Sequence, residues 1–281
     1  MRLHVCGSRG STPVAGAEFL KYGGSTSCVA FARDGELPSL ILDAGTGIRN
    51  LDKLFGDRPF KGTIALGHLH WDHTQGLPFF HAADNDEADV AVVIPGQGPA
   101  ADVLRRMMSP PFFPINPEEL HGRWSFQSIE PGVHQLGGFT ITALDIPHKG
   151  GRAFGYRVDD GTARVAYLSD HNPTSFGPGA DGLGELHPNA LELCRDADLL
   201  IHDSQHTAQE LPDKSFLGHS SIHYAIGLAR AAGVKEVLMF HHDPDRTDGQ
   251  IDALVAELAG SMPVTAAREN STIDLPAPTS A

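Results

Sequence analysis

The sequence predicts an α/β fold in which two β-sheets pack face to face with helices on their outer faces, and three observations carry this. Short apolar runs of strand length far outnumber helical patterns, they fall into two blocks that each end in helices, and no low-complexity linker or short-period repeat divides the chain. Strands in such excess argue against a plain doubly wound sheet. With 281 residues, 41% of them hydrophobic, the chain is long enough to bury a substantial core.

In the first block LHVC (3–6), SCVAFA (27–32), SLILDA (39–44), TIALG (63–67) and VAVVI (90–94) read as strands, and a helix is expected over 99–107. In the second block FTITALDI (139–146), AFGYRV (153–158), ARVAYLS (163–169), ADLLIHD (197–203) and KEVLMFH (235–241) repeat the strand pattern. Helices are expected there over 187–195, 221–232 and 249–259. The middle one is marked by Ile222, Ala225, Ile226 and Ala229 at helical spacing. The stretch 85–132 is the least regular. Its MMSPPFFPINPEEL segment (107–120) carries prolines that preclude a long helix while leaving aromatic groups exposed. It reads as a cap-like insertion over a site, with an ordinary surface loop as the alternative. Residues 276–281 read as a frayed tail.

The formal net charge of −14 repels a polyanion, so a small, compact substrate fits better than a long phosphate backbone. Cys6, Cys28 and Cys194 are scattered and lack CxxC spacing, which suits a reducing compartment. The N-terminus MRLHVCGSRG has polar and charged residues where a signal peptide needs an apolar core, and no run approaches the roughly 18 apolar residues of a membrane span. The expectation is a cytoplasmic protein with no membrane partner.

Directly after TIALG comes His68-Leu69-His70-Trp71-Asp72-His73. In an extended segment alternate residues share a side, so His68 and His70 face the same way. Neutral imidazole and carboxylate are good ligands for zinc and similar ions, and such polar density after an apolar strand is costly without one. A lone histidine is usually structural, and the chain has 16. Three of them with an aspartate in one hexapeptide point instead to a metal.

HLHWDH matches the HxHxDH signature, and on it the chain resembles the metallo-β-lactamase fold superfamily, whose hydrolases carry two metals at the open edge of a four-layer αββα sandwich. The resemblance implies that 1–275 is a single metallo-hydrolase domain, with His68 and His70 serving one metal and Asp72 and His73 the other. It also implies a further histidine, a bridging aspartate and a last histidine at later strand ends. His148 after FTITALDI, Asp170 after ARVAYLS and His241 after KEVLMF stand in that order. His241 and His242 are adjacent, and a strand would aim them oppositely. His241, which terminates the apolar run, is the choice, leaving His242 to a supporting role. Two divalent ions about 3.5–4 Å apart acidify a bound water and clamp both oxygens of a displacement at phosphorus, so the expected nucleophile is a bridging hydroxide. Asp72 is placed to orient or deprotonate it. Zn2+ is the default metal, with Mn2+ or Fe2+ as alternatives.

Gly218-His219-Ser220-Ser221 opens the helix expected at 221–232, where free N–H groups and the helix dipole favour an anion and either serine can cap. By itself GHSS is a competent helix cap. It is similar, however, to a motif of the ribonuclease Z and related phosphodiesterase branch in which the histidine is catalytic and an acidic residue supports it. The resemblance implies a catalytic His219 supported by Asp203, with Ser220 and Ser221 as substrate contacts. The Gly- and Ser-rich segments 6–14 and 21–29, each able to offer N–H groups to an anion, join MSPPFFP and FHHDPDR (240–246) in this likeness, which spans almost the whole chain. It points to a bacterial group of ribonuclease Z-like phosphodiesterases that includes cyclic-nucleotide phosphodiesterases.

The protruding basic, glycine-rich arm with which ribonuclease Z grips precursor tRNA has no counterpart here, and the charge is −14. Arg105, Arg106, Lys149, Arg152 and Arg246 are candidates for a local positive rim. The reading is hydrolysis of a small phosphodiester such as a cyclic nucleotide. The alternatives are a tRNA 3′-end endonuclease, a lactonase or esterase, and a metal-binding sensor without turnover. Homodimers are common among relatives of this fold, so a second copy is a candidate partner.

Overall fold

Alternation along the strands decides the layering in the computed structural model, which describes residues 1–275. The expected frayed tail at 276–281 lies outside the described residues. The first sheet contains β1 (Arg2–Gly7), β2 (Cys28–Ala32), β3 (Leu40–Leu42), β4 (Lys61–Ala65), β5 (Asp89–Pro95) and β6 (Arg123–Ile129). The second contains β7 (Gly132–Leu136), β8 (Phe139–Asp145), β9 (Phe154–Asp159), β10 (Arg164–Leu168), β11 (Leu199–Asp203), β12 (Glu236–Phe240) and β13 (Val264–Ala266). The last strand, β14 (Ser271–Asp274), returns to the first sheet, giving the orders β14-β1-β2-β3-β4-β5-β6 and β13-β12-β11-β10-β9-β8-β7.

Successive residues of a strand face opposite sides of its sheet. In β2, Val29 and Phe31 enter a core between the sheets with Leu3, Phe139, Tyr156 and Phe240. Cys28 and Ala30 face outward and pack with Phe55, Phe60 and Phe80. In β11, Leu199 and Ile201 point inward, while Leu200 meets Leu193, Tyr224, Leu228 and Met239 on the other side. Both faces of both sheets are therefore buried, which is why the central strands read as nearly continuous apolar runs. Helices α1 (Asp52–Phe55), α2 (Trp71–Thr74) and α3 (Ala100–Arg105) belong to the first half. Helices α4 (Pro188–Cys194), α5 (Leu211–Lys214), α6 (Ile222–Ala232) and α7 (Asp248–Leu258) belong to the second. The result is the four-layer αββα sandwich, with three apolar layers between its elements.

The strands without a sequence signal are β6, β7, β13 and β14, the outermost strands of the two sheets. An edge strand carries fewer buried side chains: every residue of β6 and β7 is exposed or half-buried. In the irregular stretch 85–132, β5 and β6 are paired in parallel as sheet strands, and the connection 96–122 carries the proline-rich segment. No helix among the described residues is long and apolar enough to cross a membrane.

Candidate metal centre

Strands β3 to β6 run parallel, as do β10 to β13, and β8 shares the direction of β10 through two antiparallel steps. Their C-terminal ends deliver the candidate residues to one edge of the sandwich. After β4 the backbone is still extended at His70, which leaves the rings of His68 and His70 4.4 Å apart. The chain then turns into α2, whose single turn carries Asp72 and His73.

Donor atoms of His68, His70, His148 and Asp170 lie within 4.8 Å of one another, and so do those of Asp72, His73, Asp170 and His241. Asp170 belongs to both groups. Its Oδ2 is 3.6 Å from His68 Nε2 and 3.4 Å from His148 Nε2. Its Oδ1 is 3.0 Å from His73 Nε2 and 3.1 Å from His241 Nε2. Asp72 Oδ2 closes the second group at 3.2 Å from His73 Nε2 and 3.1 Å from His241 Nε2, and is held by the Ser11 backbone N–H at 2.7 Å.

The hydrogen bonds behind these rings determine which nitrogen carries the proton. His73 donates from Nδ1 to Asp43 at 2.7 Å, and His148 donates from Nδ1 to the Gly218 carbonyl at 2.9 Å. In the neutral rings each Nε2 is then a lone pair aimed at the carboxylate oxygens, and His68 Nε2 and Asp170 Oδ1 are buried without a hydrogen-bond partner. Converging lone pairs are stable only around a cation, and imidazole with carboxylate is a donor set for zinc-like ions, so the residues fit a metal. Burial holds His68 well below the ordinary histidine pKa and His148 down to about 4, so both are neutral at neutral pH, the form in which imidazole can bind a metal. Against the opposing effect of burial, Asp170, Asp72 and Asp43 hold His73 well above that range. Burial would raise Asp72, but His73 and His241 keep it below the usual carboxylate range, ionised and a weak base.

Beside these groups, His219 donates from Nδ1 to Asp203 Oδ2 at 2.9 Å and stacks on His241 with ring centroids 4.9 Å apart. Burial would lower its pKa, but Asp203, Asp170 and Asp72 raise it to about 9. Ser220 and Ser221 do not reach the cavity. Both are fully buried: Ser221 caps α6 by accepting from the Tyr224 N–H, and the Ser220 N–H is spent on Asp203. The substrate contacts expected of this pair give way to a structural role, because the Asp203 carboxylate is itself the anion ahead of α6. The N–H groups of the Gly- and Ser-rich N-terminal segments are likewise taken by the protein itself: those of Ser8 and Arg9 donate to the Ser25 carbonyl, that of Gly10 to the His242 carbonyl, and those of Ser11 and Ser25 to the Asp72 and Glu269 carboxylates.

Residues 40–242 match the family described as the beta-lactamase superfamily domain. The chain belongs to that superfamily. Among curated relatives, the ribonuclease Z of Listeria innocua is 25% identical over 222 residues, covering 63% of this chain and 69% of its own. Among solved structures, the metallo-beta-lactamase fold protein YhfI of Bacillus subtilis is similar with a TM-score of 0.72 at 19% identity, covering 97% of this chain and 99% of YhfI. The short form of human tRNase Z is similar with a TM-score of 0.69 at 19% identity, covering 98% and 100%. The likeness within the superfamily thus runs to the ribonuclease Z-like branch, and the protein is a hydrolase of metal-dependent type.

Within this superfamily frame, Asp43 is the site residue that sequence reading missed. Besides His73 it accepts from Tyr167 O–H at 2.7 Å, Ser169 O–H at 3.2 Å and Gly67 N–H at 2.6 Å. An aspartate ending the apolar run LIL was its signal. His242 turns away from the centre, donating from Nε2 to the Ala267 carbonyl at 3.0 Å. Of the expected basic rim, Arg105, Arg152 and Arg246 are tied to Asp102 and Glu118, to Asp145 and Glu130, and to Glu210. The cavity over the centre measures about 410 Å³ and is lined by Ser11, Leu69, His70, Trp71, Asp72, Asp170 and His219.

Proposed function

We propose that the protein is a dinuclear metal-dependent phosphodiesterase acting on a small phosphodiester such as a cyclic nucleotide. The observation that carries the reading is Asp170, whose two oxygens face two separate groups of histidine nitrogens with His219 Nδ1 3.7 Å from one of them. His68, His70 and His148 would hold one cation and Asp72, His73 and His241 the other, with Asp170 belonging to both groups. Zn2+ is the preferred metal for this donor set. When bound, the pair supplies Lewis acidity at the phosphoryl oxygens and acidifies a water.

The chain's own groups do the rest. Asp72, ionised and a weak base, orients the attacking water by accepting its hydrogen bond. His219, kept as imidazolium by Asp203, donates to a phosphoryl oxygen and then protonates the leaving oxygen. A net charge of −14 and a compact cavity favour a small substrate over RNA. The similarity to ribonuclease Z supports a second reading, a tRNA 3′-end endonuclease.

The test is turnover of 2′,3′- and 3′,5′-cyclic nucleotides, bis-(p-nitrophenyl) phosphate and a precursor tRNA by one sample of known metal content. Cyclic-nucleotide turnover with two metals per chain is the expected result. Cleavage of the precursor tRNA alone transfers the assignment to the second reading, and a fully metallated sample inert on all four abandons both.

A further inference from the structure

Next to the metal cavity lies a second concavity of about 490 Å³ that the chemistry above does not use. Trp71, from the HLHWDH segment, lines both, so its ring borders the metal cavity on one hand and this bay on the other. The far wall is the proline-rich connection, which brings Met107, Phe112 and Phe113 opposite Phe79. Phe79 and Phe113 pack edge to face with centroids 5.9 Å apart and fix the floor. Three of these rings are not core: Trp71 is 77% exposed, Phe112 81% and Phe79 48%.

Aromatic rings held apart around a hollow are costly in water unless something slides between them. A flat partner surface would not fill a recess, whereas a planar ring can stack on Trp71 and Phe112. A charged donor is also at hand: Arg105 is held by Asp102 and Glu118, but Arg106 lines the bay and is exposed. A mostly apolar pocket with a few convergent polar groups is the usual form of a small-ligand site.

We infer that this bay is the base-binding subsite, with Trp71 and Phe112 stacking on the nucleobase of a substrate whose phosphodiester lies at the metals and Arg106 donating to the base edge. The inference rests on the phosphodiesterase reading for what sits at the metals, but binding of a base is measurable without turnover. It gives the MSPPFFP segment the task of selecting nucleotides over other phosphodiesters.

The chain has two tryptophans, so Trp124→Phe leaves Trp71 as the sole indole reporter. Adenosine, which has no phosphate, is expected to quench its fluorescence saturably in the metallated protein, while ribose 5-phosphate is not. Base stacking predicts that Phe112→Ala lowers the preference for a cyclic nucleotide over ribose cyclic phosphate, as a ratio of kcat/KM, by about 10- to 100-fold. Quenching by adenosine in a protein that cleaves no phosphodiester would keep the subsite and remove only the reading it rests on. An unchanged preference ratio in Phe112→Ala overturns the inference, as does fluorescence that adenosine leaves unaltered. So does a wild-type dimer that Phe112→Ala converts to a monomer, which would make this face a subunit contact.

Discussion

His219 and Asp203 form a buried ion pair at 2.9 Å, and the same Asp203 oxygen also accepts the backbone N–H groups of Ser220 and His171 at 3.2 Å each. With the Gln205 N–H donating to its other oxygen at 3.0 Å, the carboxylate is fixed from three directions before it meets the imidazole. Burial would raise its pKa, but the pairing with His219 holds it below the ordinary carboxylate value. A charge pinned in this way keeps a proton on His219 and fixes the direction in which Nε2 points.

A pH profile follows from that pair. An acid must be protonated to act, so kcat/KM falls as pH rises through the His219 pKa. That pKa is about 9 in the metal-free centre. Cations beside Asp170 and Asp72 cancel part of the pull, so the alkaline limb lies below about 9. Asp203→Asn removes the remaining pull: the limb moves toward acid and kcat falls by about 10- to 100-fold. His219→Ala loses about 100- to 10,000-fold while both metals stay bound. Rate profiles with metal analysis on each variant check this, and an unmoved limb in Asp203→Asn would sink the acid role.

Asp43 carries the second prediction. Four donors converge on its buried carboxylate, one of them the His73 N–H that aims Nε2 at the second metal group. Asp43→Asn keeps the shape but turns an amide toward donors. It should weaken metal binding at the Asp72, His73, Asp170 and His241 group by about 10- to 100-fold. Stability should fall by about 1–3 kcal/mol through unsatisfied buried donors. Stepwise metal titration and thermal unfolding read the two effects separately, and equal weakening at both metals would contradict the selective role of Asp43.

What the sequence reveals and what it hides divide along physical lines. Central strands are legible because both faces are buried, so β4, β8, β10, β11 and β12 appear as apolar runs, with polar groups at the strand ends where the donor sets assemble. Edge strands such as β6 and β14 pair with one neighbour only and leave no such trace. The roles of Ser220, Ser221 and Asp43 were illegible for a different reason. Whether a hydroxyl or carboxylate faces a cavity or a backbone N–H depends on packing between segments distant in the chain, and Asp43 meets His73 from α2 and Tyr167 from β10.

His241 and His242 offer a direct discrimination. His241 leaves β12 in a left-handed conformation, φ 56°, which swings its ring into the centre, while His242 lies edge-on to Tyr22 and bonds to Ala267. His241→Ala should release the metal of the second group with little change in fold. His242→Ala should keep both metals but lose about 1–3 kcal/mol, because the Ala267 carbonyl is left buried without its donor. The reverse pattern, with metal lost only from His242→Ala, would exchange their roles.

Gly10 is the last position from which the centre can be tested, and it lies far from any ligand in sequence. Its backbone N–H donates to the His242 carbonyl, which presses the N-terminal segment against the end of β12. A Cβ placed on Gly10 would run into the His241 ring and come within 2.8 Å of the Gln205 amide. The ring cannot retreat far, since His219 and His73 both stack against it. Gly10→Ala should therefore displace His241 Nε2 from Asp72 and Asp170, so that metal at the second group weakens by at least about tenfold. The circular dichroism spectrum should stay native. Gly249→Ala, in α7 with open space around the added Cβ, controls for backbone stiffening. If Gly10→Ala bound both metals with wild-type affinity, steric contact with His241 would not be the reason for a glycine there.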